Sequence, residues 1–358
     1  MPTASNLLGP DDAQPAGDRQ TPGRPLPADP KLIFIALRCG RLGNRLLLFA
    51  NFTALAEEQG HRLFNFTFHS YAHLFETTSQ DIYCQYPAQK RRSLFEVIPG
   101  PAAAIRKTRI FYHAVRTASR LHERFPIFGS SVVTLRESPR PDLIAGLDGS
   151  EVQDQIREAK VVFVYGWRFQ APALVQRHGG KIRAYFRPIQ EYENSSSQAV
   201  NRLRQQADVV VGVHLRLGDN YKWRGGKFFF PVSRYTGWMN ELADQFPGRK
   251  VGFLVCSDEP RNPSEFPGLT VGLGPGSAMG DLYALAKCDY VFGPFSTFSQ
   301  WASFYGEKPL FHLYSINDCL ELEKFRVSYL ELPTGQTLDG ESPHRARPEA
   351  GKQILTRG

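Results

Sequence analysis

Between Lys31 and Tyr314 the apolar residues fall into short runs separated by amphipathic or polar stretches. The run KLIFIALR, Lys31 to Arg38, is bounded by Pro30 and a glycine-containing loop and reads as a buried parallel strand. CGRLGN, Cys39 to Asn44, is the loop. From Arg45 to Gln59 apolar residues recur at 46, 49, 52, 55 and 56, a helical spacing that Gly60 ends. A strand over 61–68 completes a β-loop-α-β unit, and another is expected over 160–169. After a polar stretch, 191–206, the alternation resumes. It predicts strands over 208–217, 251–256, 269–273, 290–293 and 309–314, with helices over 278–287 and 296–305.

Strands interleaved with helices imply parallel sheets covered on both faces, an α/β fold. Two such blocks joined near 190–205 predict two Rossmann-like domains, 31–200 and 205–332, with a cleft between them. Ligands of such sheets sit at the carboxyl ends of the strands. The Pro- and Gly-rich ends, 1–30 and 333–358, are expected to be a disordered arm and a flexible tail. The stretch 70–155 mixes aromatic, basic and proline residues and predicts helices that face an acceptor.

Composition narrows the partners. The chain has 358 residues, 42% of them hydrophobic, enough for two domains with a core each. A net charge of +8 suits an anionic ligand, such as a nucleotide-sugar, an acidic glycan or a membrane surface. The basic residues are spread out, with no block of five, so a solvated basic surface is expected and nucleic acid is not; peripheral membrane contact stays open. The five cysteines, Cys39, Cys84, Cys256, Cys288 and Cys319, are far apart and form no Cys-x-x-Cys pair. That pattern predicts neither a zinc site nor a disulfide framework and favours a reducing compartment. No run nears the ~18 apolar residues of a membrane span. The first thirty residues lack the apolar core of a secretory signal, so a cytoplasmic location is expected.

Four groups of residues could carry chemistry. In VGVHLRLGD, alternation along a strand puts His214 and Arg216 on one face at its carboxyl end. An arginine there can hold two phosphate oxygens in its planar fork, or it can pair with Asp219. In FGPFSTFS, Ser296 is a candidate N-cap, and the free N–H groups of the next turn, joined by the Ser296, Thr297 and Ser299 hydroxyls, form an anion site; ordinary capping explains the same residues. Asp281 near a helix start suits either a ligand or the helix dipole. Asp258 follows the run VGFLVC, as a turn residue or a ligand contact. The glycines of Gly40-Arg41-Leu42-Gly43-Asn44 fit a tight turn, which explains neither Arg41 nor Asn44.

These elements, in this order, resemble the GDP-fucose-dependent α-1,2-fucosyltransferases and, more distantly, the protein O-fucosyltransferases. GRLGNRLLLFANFTALAEEQG resembles the family's opening Gly-Gly-Leu-Gly-Asn-Gln segment, VGVHLRLGDNY its His-x-Arg-Arg-x-Asp-Tyr motif, and DLYALAKCDYVFGPFSTFSQWASFYG its closing Ser-Thr-Phe-Ser-x-Trp segment. The resemblance leaves 70–155 and both tails uncovered. It implies a GT-B fold, with the first domain on the acceptor side and the second binding the GDP-sugar. It also implies transfer of L-fucose from GDP-fucose, with inversion and without a metal, to a hydroxyl of an oligosaccharide or polysaccharide acceptor, α-1,2 on a terminal galactoside. The chain has no Asp-x-Asp of the kind metal-dependent transferases use. Carried over by position, Arg216 would bind the diphosphate, His214 the nucleotide and Asp281 the guanine. Ser296, Thr297 and Phe298 would embrace the phosphates, Arg41, Gly43 and Asn44 would close from the other domain, and Asp219 is the candidate base. Leu217 stands where the family has a second arginine, and Arg45 offers a replacement cation. The alternatives are another GDP-sugar such as GDP-mannose, a protein acceptor, or a non-catalytic carbohydrate-binding protein on the same fold.

Overall fold

The computed structural model describes residues 30–79, 81, 83–88, 101–126, 129–140, 143–218 and 221–332, with the side chains of 101–108 and 223 excepted. In chain order the strands and helices of the first part are β1 (Leu32–Ile35), α1 (Leu42–Gln59), β2 (Arg62–Phe64), α2 (Glu76–Ser79), β3 (Gln85–Tyr86), α3 (Pro101–Arg124), β4 (Val132–Arg136), β5 (Ala145–Gly146), α4 (Ser150–Ile156), β6 (Val161–Tyr165), β7 (Phe169–Gln170), α5 (Pro172–Arg177) and α6 (Gly179–Tyr185). The first sheet has the order β3-β2-β1-β6-β4 and is parallel except for β3; β5 and β7 pair separately.

The second part continues with α7 (Gln190–Arg204), β8 (Val209–Leu215), α8 (Val232–Ala243), β9 (Val251–Ser257), β10 (Thr270–Leu273), α9 (Ala278–Leu285), β11 (Tyr290–Pro294), α10 (Thr297–Gly306) and β12 (Leu310–Leu313). Its sheet, β10-β9-β8-β11-β12, is wholly parallel. Every residue of β8 is buried, as a β-branched run in a sheet covered on both faces requires. The fold is therefore α/β with two parallel-strand sheets, as the alternation predicts.

Several elements depart from expectation, among them the strand expected over 160–169, which is broken into β6 and β7. Helix α1 begins at Leu42, so Gly43 and Asn44 belong to its first turn and not to the loop before it. The strand expected over 61–68 keeps only Arg62–Phe64, because the chain then winds into a 3-10 turn, Phe66–Ser70, in which Thr67 Oγ1 donates to Asn65 Oδ1 (2.6 Å). The polar stretch 191–206 is the body of α7, whose only buried residues, Ser196, Ala199, Val200 and Leu203, recur at helical spacing.

The cores are not divided one per sheet. One continuous buried cluster includes Ile33, Phe49 and Phe186 on the first-sheet side and Leu254, Leu282 and Trp301 on the second. The rings of Phe186 and Trp301 meet edge-on at 5.2 Å, and Tyr283 Oη donates to the Phe186 carbonyl (2.7 Å). A second cluster, built on Tyr235, Trp238 and Phe253, covers the other face of the second sheet.

Candidate functional site

The carboxyl ends of β1 and β11 each lead into a helix, and the first turns of those helices, α1 and α10, touch. Thr297 Oγ1 donates to Asn44 Oδ1 at 2.7 Å. Gly43 makes the approach possible: a Cβ built there would stand 2.6 Å from Thr297 Oγ1 and 3.1 Å from the Phe298 nitrogen. Arg41, the exposed N-cap residue of α1, lies at the same mouth.

Ser296 caps α10, its hydroxyl accepting from the Phe298 amide (3.2 Å). The capping reading of this residue is thus realised. Among the described residues, the amides of Thr297 and Ser299 have no protein acceptor, and they point from a helix N-terminus, where partial positive charge gathers. The Phe298 ring lies 5.1 Å from the His214 ring, tilted by 31°.

His214 is the penultimate residue of β8, buried, with no hydrogen-bond partner for Nδ1 among the described residues. Burial first, then the charges of Arg216 and of neighbouring His312, pull its pKa down to about 3. Burial likewise holds His312 near 4. Both imidazoles are neutral at physiological pH and add nothing to the positive charge of Arg216.

Arg216 is half-buried and stands one residue past the strand. The strand was expected to reach 217. It stops at Leu215 because Asp258 Oδ1, just beyond neighbouring β9, accepts from the amides of Leu217 (2.9 Å) and Gly218 (3.3 Å) and draws the chain off the ladder. Asp258 therefore acts as a clasp on the loop that carries Arg216. Asp219 lies outside the described residues.

Asp281 enters from one strand over. His214 pairs in register with Cys256, whose Sγ lies 3.7 Å from the Asp281 carbonyl. The Asp281 carboxyl is buried and accepts from the Gly276 amide through Oδ1 (2.9 Å), while Oδ2 has no protein donor among the described residues. Burial pushes its pKa up to about 6, with the Gly276 amide opposing. The Gly274-Pro275-Gly276-Ser277 turn around this carboxylate carried no weight in the sequence reading, although Ser277 caps α9.

Arg45 is the correction. It was expected to supply a cation in place of Leu217. Its guanidinium is instead spent inside the first-sheet side, donating to the carbonyls of Gly40 (3.2 Å) and Thr67 (3.1 Å) and to the Ser70 hydroxyl (2.8 Å), over the Tyr71 ring. It is 7% exposed, and burial lowers its pKa. Arg45 thus braces the loop that leads into Arg41 and the first turn of α1.

The chain matches no family model and no curated protein. Among solved structures it is similar to a mutant of Arabidopsis thaliana FUT1 in complex with GDP, at 13% identity and a TM-score of 0.46, over 80% of this chain and 71% of that one. It is also similar to NodZ α-1,6-fucosyltransferase soaked with GDP-fucose, at 17% and 0.43, over 79% and 95%. POFUT1 in complex with GDP-fucose follows at 13% and 0.40, over 78% and 94%.

Proposed function

We propose that this chain is an inverting glycosyltransferase that moves L-fucose from GDP-fucose to a glycan hydroxyl without a metal, α-1,2 to a terminal galactoside, on a GT-B arrangement of an acceptor-side and a donor-side domain. The observation that carries the reading is the meeting of the α1 and α10 first turns beside Arg216 and the buried Asp281. The free amides of Thr297 and Ser299, with the Arg216 fork, suit a diphosphate. The unused Asp281 Oδ2 suits the paired N–H donors of a guanine edge.

In this mechanism the acceptor oxygen attacks the anomeric carbon from the face opposite GDP, the bond to the β-phosphate oxygen breaks, and its electron pair leaves with GDP. Arg216 and the α10 amides stabilise the negative charge as it develops; fixed donors of this kind contribute ~3 kcal/mol each. The acceptor proton goes to Asp219, the side chain we assign as base. Asn44 and Gly43 hold the first-sheet side against the phosphates, and neutral His214 seats Phe298.

Calorimetric titration of the EDTA-treated protein tests the reading. Micromolar binding of GDP, tighter for GDP-fucose than for GDP-mannose, is expected, with none for UDP. Binding of UDP alone, or of no nucleotide, would reject it.

Asp281 adds a pH dependence. It accepts from guanine only when ionised, so GDP affinity is expected to be flat above its pKa of about 6 and to weaken about tenfold per unit below it. Calorimetry across that range checks this, and Asp281→Asn removes the dependence along with most of the affinity. The sign for stability is opposite. With a folded pKa raised above the ordinary 3.8, the native state binds the extra proton, so this residue's contribution falls as pH rises from 3.8 to about 6.

A further inference from the structure

Helix α3 has a second apolar face. Its inner side is held by Tyr112, against His69, and by Ser119, whose hydroxyl lies 2.5 Å from Tyr165 Oη. The opposite side should be polar. It carries Ile110, Leu121 and Phe125 at 62, 56 and 59% exposure. At about 100° per residue these three fall within an arc of about 60°, with exposed Ala114 inside it. Alongside runs a cationic row, Arg109, Arg120 and Arg124, all exposed. Glu123, the acid on this stretch, is taken by an ion pair with Arg136.

Isolated exposed apolar residues are ordinary; three in line on a surface helix, edged by one sign of charge, are not. We propose that this face of α3 docks on an anionic lipid surface, the apolar arc entering the headgroup boundary and the arginine row lying against lipid phosphates. The cationic row selects this occupant over an apolar protein groove. One narrow outward arc along a helix also fits a plane. Because α3 packs against the 66–70 turn that Arg45 braces, docking would tether the chain by its first-sheet side. The inference is independent of which sugar the chain transfers, or whether it transfers one.

The test is flotation of the full chain with vesicles of phosphatidylcholine alone, and with about one third phosphatidylglycerol. Recovery with the anionic vesicles only, lost at high salt, is expected. Each arginine near the surface contributes about fivefold, so Arg109→Glu with Arg120→Glu and Arg124→Glu lowers the partition coefficient by roughly 100-fold or more. Leu121→Ser with Phe125→Ser, which leaves the charge untouched, lowers it roughly tenfold or more. Arg202→Glu with Arg249→Glu and Lys250→Glu, the same charge change elsewhere, leaves it near wild type. All variants keep the wild-type circular dichroism and melting midpoint. No recovery with anionic vesicles, equal loss in the distant charge variant, or unchanged binding of the serine variant would each overturn the proposal. So would a change of oligomeric state in the serine variant without vesicles, which would assign the face to a second copy of the chain.

Discussion

Arg216→Ala is expected to lower turnover roughly 100-fold or more while leaving the fold intact. The side chain stands past the end of β8 and is half-buried, outside both apolar clusters, so its loss opens no cavity. The backbone of its loop is held from Asp258, through the amides of Leu217 and Gly218, and that clasp survives the substitution. What disappears is a fixed cation beside two neutral imidazoles, where a diphosphate would gather negative charge as the sugar leaves. Arg216→Lys should recover only part of the rate, since an ammonium cannot reproduce the two-pronged guanidinium. Single-turnover transfer from GDP-fucose, beside a thermal melt, decides it. Retained turnover would move diphosphate stabilisation away from this residue. Because the Arg216 charge helps to depress the His214 pKa, that pKa should rise in the alanine variant, an independent readout of the contact.

Gly43→Val is expected to cost about 1–3 kcal/mol of stability and most of the donor affinity together. A Cβ at this position already stands 2.6 Å from Thr297 Oγ1, and valine adds two methyl groups to that space. The relief available is to push the first turns of α1 and α10 apart. That separation breaks the Asn44–Thr297 hydrogen bond and shifts the amides assigned to the phosphates. Asn44→Ala makes the milder comparison, losing about 1 kcal/mol with no clash. In the double variant Gly43→Ala with Thr297→Ala, removal of Oγ1 should restore part of the stability that Gly43→Ala loses. This non-additivity marks direct contact. Chemical unfolding and GDP titration of the set measure both effects. A normal melt and normal GDP binding in Gly43→Val would mean that the two helix ends are free to separate.

Much of the second sheet was legible because buried parallel strands announce themselves. VVVGVHL and VGFLVC are dominated by apolar residues, with polar Arg216 and Ser257 next along the chain, and the residues before Gly293 are a short apolar run. Helix α7 escaped because its buried face has only four residues, two of them the small Ser196 and Ala199, which barely disturb a polar composition. The direction of Arg45 was not readable at all. Thr67 and Ser70, which receive its guanidinium, lie 22 and 25 positions away and are brought up by the 3-10 turn that replaced the expected strand. Asp258 stood equally between turn residue and ligand contact, since its bond to Leu217 exists only once β8 and β9 pair in register. Ser296 was readable as a cap because capping is local chemistry. The outward arc of α3 illustrates the reverse difficulty: an apolar stripe in a sequence does not say which of two faces meets the core.

The apolar cluster that runs from Ile33 to Trp301 has a consequence for descent. Transferases assembled from two self-contained lobes can in principle exchange one lobe by recombination and keep the other. Here Phe186 from one side is seated against Trp301 and Tyr283 from the other, and the Gln170 side chain accepts the amide of Leu332. A substitute for either side would arrive with the wrong complement to that seam and leave a void or a collision there. Change around the mouth is therefore channelled into point substitutions and loop insertions, with the two sheets kept as a single piece.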